Sequence, residues 1–116
     1  MPPKKGFWRK VTGDILDHDT QRLIAEQKAA LARDPDWAEG YYHLAQLYRV
    51  QQKRRQAKEQ LLIALEKKPT LADAHIALGE IYVAEDDLER ARVHAQFAAK
   101  LGKPRLLEQL QRHNAL

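Results

Sequence analysis

The chain has 116 residues, 44% of them hydrophobic, and a formal net charge of +4. This length suits one domain with one buried core. Cysteine is absent, which excludes disulfides, thiolate metal sites and cysteine nucleophiles. The longest apolar run, residues 61–65, is far shorter than the roughly 20 residues of a membrane-spanning helix, and no apolar stretch of signal-peptide length follows the basic start. We therefore expect a cytoplasmic protein.

Residues 1–17 are predicted as a basic N-terminal arm or a degenerate helix. Residues 7–16 place apolar side chains at helical spacing, but a glycine and clustered aspartates weaken that prediction. In the simpler interpretation, the aromatic side chains pack onto the helix that follows. The alternative is a docking arm that contacts a membrane interface or a partner protein. The residues of this arm are Phe7, Trp8, Arg9 and Lys10.

Residues 18–35 are predicted as half a repeat, a second helix without a clear first helix before it. Metal binding by Asp17, His18 and Asp19 is disfavoured, because the side chains of adjacent residues point in different directions. We interpret the two aspartates as caps at the start of this helix. The apolar side of the helix consists of Leu23, Ile24, Ala30 and Leu31.

Residues 36–69 and 70–103 repeat each other with a period of 34 residues. Leu44 recurs as Leu78, and Tyr48 recurs as Tyr82. A single spacing that relates positions with small side chains and positions with large side chains indicates a structural repeat. The other identical pairs at this offset include Pro35 with Pro69, Ala38 with Ala72, Ala57 with Ala91, and Ala64 with Ala98.

Each repeat is predicted to form two helices separated by a polar turn, at residues 51–54 and 85–87. Ala45 and Gly79 are expected to let the first helix approach its partner closely. One such pair cannot bury its apolar face alone, so neighbouring pairs must stack. The first helices are predicted to begin with capping boxes, Asp36 with Glu39 and Thr70 with Asp73.

Residues 104–116 are predicted as a terminal capping helix. Leu106, Leu107 and Leu110 share one side, whereas the residues between and after them are mostly polar. Helical arrays need a terminal helix with a polar outer face to stay in solution.

The spaced positions resemble the signature of the tetratricopeptide repeat (TPR) family. The resemblance implies an all-α, right-handed α-solenoid of antiparallel helix pairs that binds other proteins on its concave surface. It also implies a packed ring at His75, and Ala95 stands where the family has a large residue. The signature positions hold Tyr41, Leu44, Ala45, Tyr48, Ala57, Leu61, Ala64 and Pro69 in the first repeat, and His75, Leu78, Gly79, Tyr82, Ala91, Ala95 and Ala98 in the second, with Pro104 one place late.

The resemblance further implies that the first helix of each repeat lines a groove that binds a peptide or a helix. Aromatic and aliphatic side chains ringed by polar groups suit such a partner. Tyr42 and Ile76 have an alternative role, packing against each other between repeats. The chain is thus predicted to be an adaptor or scaffold, with self-association as a further option. The predicted groove consists of Tyr42, His43, Gln46, Arg49, Ile76, Glu80 and Val83.

Two other functions stay open. One is a structural or assembly subunit of a larger, membrane-associated complex that docks through the basic aromatic N-terminus. The weaker one is nucleic-acid binding through the basic cluster, which we define as Arg49, Lys53, Arg54, Arg55 and Lys58. Against nucleic-acid binding, the acidic turn of the next repeat is expected to lie beside this cluster and pair with it.

No set of residues predicts catalysis. The five histidines include no pair at the i, i+4 spacing with a carboxylate that a helical zinc site uses, and no glycine-rich phosphate loop occurs. The residues around Asp86 lack the glycine and the ligand spacing of a calcium loop. We therefore expect a chain that is not an enzyme and needs no cofactor or metal.

Overall fold

The structure, a computed structural model, describes the backbone of residues 7–113 and the side chains of residues 17–113. Within residues 7–113 the chain is helical and contains no strand, which confirms the all-α class. None of the helices in this part of the chain is both long and apolar enough to cross a bilayer. The six helices are α1 (Phe7–Arg33), α2 (Ala38–Val50), α3 (Arg54–Lys67), α4 (Ala72–Ala84), α5 (Leu88–Lys100) and α6 (Arg105–Arg112).

The helices stack in a row instead of surrounding a single centre. Helix α2 packs on α3 and α4 packs on α5, while α3 joins the two pairs, α1 covers the first pair and α6 covers the second. The radius of gyration is 16.8 Å, against about 13 Å for a compact domain of this length. This elongation is the shape of a solenoid.

Small side chains form much of the core. Leu61 and Leu78 are the largest fully buried side chains, and alanines surround them. Because an alanine reaches only one carbon from the backbone, the helices lie close together at these positions. The fully buried alanines are Ala45, Ala57, Ala64, Ala74, Ala91, Ala95 and Ala98.

Helix α6 completes the second core cluster, as the sequence predicts. Leu106 and Leu110 are buried against Ala91 and Ala95, and Leu107 packs at the edge of the cluster. Gly79 has a different neighbour from the expected one. A Cβ atom there would lie 2.5 Å from the side chain of Leu106 and 3.5 Å from the nearest backbone atom of α5. The absence of a side chain at residue 79 therefore makes room for the terminal helix α6.

Helix α1 is longer than expected, and the predicted caps before it are wrong. It runs without a break from Phe7 through the expected boundary between residues 17 and 18. Asp17 and Asp19 thus lie inside the helix, where no free backbone N–H groups remain for a cap. Asp17 instead accepts a hydrogen bond from Gln51, and Asp19 pairs with Arg22 in the next turn of α1.

The predicted capping boxes of α2 and α4 are also wrong. Trp37 and Leu71 occupy the N-cap positions, and neither carries a capping side chain. The backbone is extended at both residues, so Asp36 and Thr70 lie one residue too early to reach the free N–H groups. The carboxylates bind lysines at the end of their own repeat, in the pairs Asp36–Lys67 (3.1 Å), Glu39–Lys68 (2.9 Å) and Asp73–Lys103 (2.6 Å).

Candidate functional site

Three surface depressions contain most of the predicted groove residues. His43 and Gln46 line a depression of about 410 Å³ between α1 and α2. Arg49 and Glu80 line one of about 530 Å³ between the first helix pair and α4. Glu80 also borders a third, of about 380 Å³, together with Ile76 and residues of α6. Tyr42 and Val83 line none of the three. The structure therefore distributes the predicted groove along the stack.

A chain of hydrogen bonds joins α2 to α4 in this surface. The Arg49 guanidinium donates to the side-chain oxygen of Gln46 (3.1 Å) and to the Glu80 carboxylate (3.4 Å). The Gln46 amide then donates to the hydroxyl oxygen of Tyr42 at 3.3 Å. Burial raises the pKa of Tyr42, and the carboxylate of Asp73 adds to the effect. The phenol is thus uncharged at neutral pH, and the bonds fix the orientation of these polar side chains.

Apolar and aromatic side chains border the hydrogen-bonded part of the groove. His43 is exposed, with its ring 5.9 Å from that of Trp37 and 5.7 Å from that of Tyr42. Tyr42 is half-buried and packs against the main core, and Val83 is exposed. The surface therefore combines exposed apolar area with fixed polar groups, as binding sites for proteins do.

Helix α1 contributes three residues that the groove prediction missed. Leu23, Glu26 and Gln27 form the α1 side of the depression between α1 and α2. The 34-residue period contains the signal that places them, because Leu23 and Gln27 correspond to Ala57 and Leu61 of the first repeat. The predicted groove omits them because it comprises only the first helix of each repeat.

The basic cluster lies beside the acidic turn, as predicted. The Lys58 ammonium is 2.8 Å from the Glu85 carboxylate, and Arg49 binds Glu80. Arg55 pairs with a glutamate of its own helix at 3.5 Å. Among the side chains of residues 17–113, no ion-pair partner is found for Lys53 or Arg54. Two cations of the cluster are thus neutralised by the next repeat, which reduces its value as a phosphate-binding surface.

His75 occupies the aromatic signature position and is a buried ring, as predicted. Its Nε2 lies 3.0 Å from the carbonyl oxygen of Pro69, so Nε2 carries the proton. Its Nδ1 lies 3.1 Å from Nδ1 of His94, within hydrogen-bond distance. One period earlier, the Tyr41 hydroxyl donates to the carbonyl oxygen of Pro35 at 2.8 Å. In the two repeats, equivalent backbone carbonyl groups therefore accept hydrogen bonds from different side chains.

The predicted docking arm lies outside the described side chains. The backbone of Phe7, Trp8, Arg9 and Lys10 belongs to the first turn of α1, and the directions of these four side chains are not described.

The geometry resembles that of a solved structure. No protein-family model and no curated protein matches the sequence. The crystal structure of MamA matches with a TM-score of 0.70 at 21% identity, over 75% of this chain. MamA is a TPR-like protein. The fold is a TPR-like helical repeat. At this level of identity the likeness concerns the fold, and the chain spans about half the length of MamA.

Proposed function

We propose that this TPR-like chain is a non-enzymatic adaptor that binds a peptide or a helix of a partner protein. The binding surface is the groove formed by Tyr42, His43, Gln46, Arg49, Ile76, Glu80 and Val83. The observation that carries the proposal is the connected polar network of Tyr42, Gln46, Arg49 and Glu80 beside exposed His43 and Val83. Oriented polar groups next to apolar area provide both specificity and affinity for a protein segment.

The arrangement of charge favours a protein over nucleic acid. Arg49 and Lys58 are each bound to a glutamate of the second repeat. A phosphate backbone would have to displace Glu80 and Glu85 and would approach these carboxylates closely. A protein segment requires no such displacement, because it can match both signs of charge.

The groove variant Tyr42→Ala/Ile76→Ala is expected to lose at least about tenfold in affinity for a partner, since central aromatic and aliphatic contacts dominate protein interfaces. Tagged wild-type and variant chains would be used to purify partners from cells, with quantitative mass spectrometry. Glu80→Lys is a second variant, which reverses a charge in the groove and leaves the core unchanged. Circular dichroism would verify that every variant keeps its helices.

Leu62→Ala is the matched control, because Leu62 is an exposed aliphatic residue of α3 outside the groove. A protein that is recovered with wild type and with this control, but not with the groove variants, would identify the partner. If every recovered protein binds the groove variants as well as it binds wild type, the groove is not the binding surface.

A further inference from the structure

One face of α2 is open where the matching face of α4 is covered. His43, Gln46, Leu47 and Val50 of α2 correspond by the 34-residue period to Ala77, Glu80, Ile81 and Ala84 of α4. Ala77 and Ile81 are 2% and 3% exposed, because they belong to the core that α4 shares with the preceding helix pair. On α2 the residues that match them are less covered, since His43 is exposed and Leu47 is half-buried. Val50 is 67% exposed, and its counterpart Ala84 is exposed as well. Within residues 7–113, α1 is the helix that packs on α2 from the N-terminal side, and it leaves part of this face uncovered.

Leu23, on the α1 side of the depression, is also less buried than its equivalent in the first repeat. Its equivalent in the first repeat, Ala57, is completely buried in the α2–α3 pair, whereas Leu23 is 43% exposed. Leu23 lies within α1, and the residues from Phe7 to Arg22 belong to the same helix. Leu23 and Val50 thus both line the depression of about 410 Å³ between α1 and α2.

We infer that the depression between α1 and α2 binds an amphipathic helix of a partner protein, in the place that the first helix of a preceding repeat would occupy. This site extends the chain's interactions beyond the proposed groove, which reaches it only at His43 and Gln46. The bound helix packs on α1 and α2 at the usual interaxial distance of about 8–10 Å. It buries the exposed face of α2, as the first helix pair buries the matching face of α4.

The lining of the depression defines the chemistry of the bound helix. Leu23, Leu47 and Val50 require an apolar stripe with residues at i, i+3 or i+4, and i+7. Glu26 is the one carboxylate among the described lining residues, which include no lysine or arginine, and no ion-pair partner for it is found within residues 17–113. A lysine or arginine beside the apolar stripe is the complement of this carboxylate. The carboxylate repels phosphate groups and the apolar wall offers them no partner, so both disfavour nucleic acid.

The test begins with a phage library of 16-residue peptides on a helix-favouring framework, selected against the full chain. Enriched peptides are expected to have an apolar stripe at helical spacing with a basic residue next to it. Synthetic, fluorescein-labelled versions would be titrated with the chain by fluorescence anisotropy, and circular dichroism would report their helix content. A pool without the stripe, or without any enriched peptide, would overturn the inference.

Val50→Asp is expected to weaken binding of the selected peptide at least about tenfold, because it places a charge in the apolar wall. Leu62→Asp is the matched control, since Leu62 is an aliphatic residue with 52% exposure on α3. It should change the affinity less than about twofold. Equal losses in the two variants would show that the peptide does not bind between α1 and α2.

A charge exchange tests the role of Glu26. Glu26→Lys is expected to weaken binding about three- to tenfold, and a peptide whose basic residue is replaced by glutamate should recover the loss. Glu66→Lys, on the exposed surface of α3, is the control for the change in net charge. Failure of the exchanged pair to recover affinity would remove Glu26 from the site.

Two further results separate this inference from its alternatives. A peptide that binds Val50→Asp normally but is lost in Glu80→Lys would overturn the inference and leave the proposed groove intact, whereas a peptide lost in neither would contradict both. Sedimentation of wild type at increasing concentration tests for a second copy in the depression. Self-association that Val50→Asp abolishes would assign the site to another copy of this chain instead of a partner protein.

Discussion

Replacing Leu61 by alanine is expected to lower the free energy of unfolding by about 3 kcal/mol, because the change removes a fully buried side chain and leaves a cavity. Leu61 lies in α3, at the centre of the core that joins α1, the first helix pair and α4. Domains of this size have only about 5–15 kcal/mol of stability, so the variant should unfold at a much lower urea concentration. Circular dichroism during urea titration measures the change.

The adjacent residue provides the control. Leu62 follows Leu61 in the same helix but is exposed on its other side. Leu62→Ala should alter the free energy of unfolding by less than about 0.5 kcal/mol. Similar losses in the two variants would contradict the assignment of Leu61 to the core.

The repeat explains why the fold was predictable. Leu44, Leu78 and the alanines at matched positions occur 34 residues apart, and a pair of helices with such a face is stable only when it packs on another pair. The prediction therefore depended on many equivalent residues, each with the same requirement for burial. The terminal helix was predictable from its own spacing, since its leucines form a single apolar side.

Helix ends were less predictable, because each depends on a single capping residue and on the backbone conformation next to it. Asp36 has the right chemistry for a cap, but the backbone is still extended at Trp37 and the carboxylate binds Lys67 instead. That lysine is 31 residues away in the sequence, so no local pattern could reveal it. Helix α1 is a similar case, since Gly13 weakened the prediction of a helix that nevertheless continues through it.

Part of the candidate site was hidden for a related reason. The period placed Tyr42, Gln46 and Arg49 on one helix, but the hydrogen bonds among them and to Glu80 depend on rotamers and on the spacing of α2 from α4. The depression beside Val50 depends on how α1 packs on α2, which becomes visible only in three dimensions.

Replacing His75 by alanine is expected to cost about 2–4 kcal/mol at pH 7. The change removes two part-buried hydrogen bonds, to the Pro69 carbonyl oxygen and to Nδ1 of His94, at about 0.5–1.5 kcal/mol each. It also removes the ring that stacks on Phe97, with 5.1 Å between the ring centres. Urea denaturation at pH 7 would measure the loss.

His75→Tyr distinguishes the two hydrogen bonds. Tyr41 already donates to the equivalent carbonyl oxygen, that of Pro35, in the first repeat. A tyrosine at residue 75 should therefore recover the bond to Pro69 and the aromatic packing, but not the imidazole contact to His94. Its stability at pH 7 should lie between those of His75→Ala and wild type. A tyrosine variant no more stable than the alanine variant would contradict the equivalence of the two repeats.

The imidazole contact also predicts a dependence of stability on pH. Burial lowers the pKa of His94, and the facing His75 lowers it further. In the unfolded chain His94 titrates near about 6.5, so between that pH and its lower pKa in the fold the unfolded chain binds more protons. The free energy of unfolding should therefore be highest above about pH 6.5 and fall as the pH decreases towards the folded pKa. Most carboxylates remain ionised down to about pH 5, which separates their titration from this one.

His75→Tyr and the control His113→Gln test this origin between pH 7 and 5. The tyrosine variant lacks the facing imidazole, which lowers the pKa of His94 beyond the effect of burial. Its stability should therefore depend less on pH than that of wild type. His113 is exposed after the end of α6, and its replacement should leave the wild-type dependence unchanged. An equal loss of stability on acidification in all three proteins would show that the facing imidazole does not contribute to the dependence. A smaller loss in the tyrosine variant alone would assign that part of the dependence to the contact between His75 of α4 and His94 of α5.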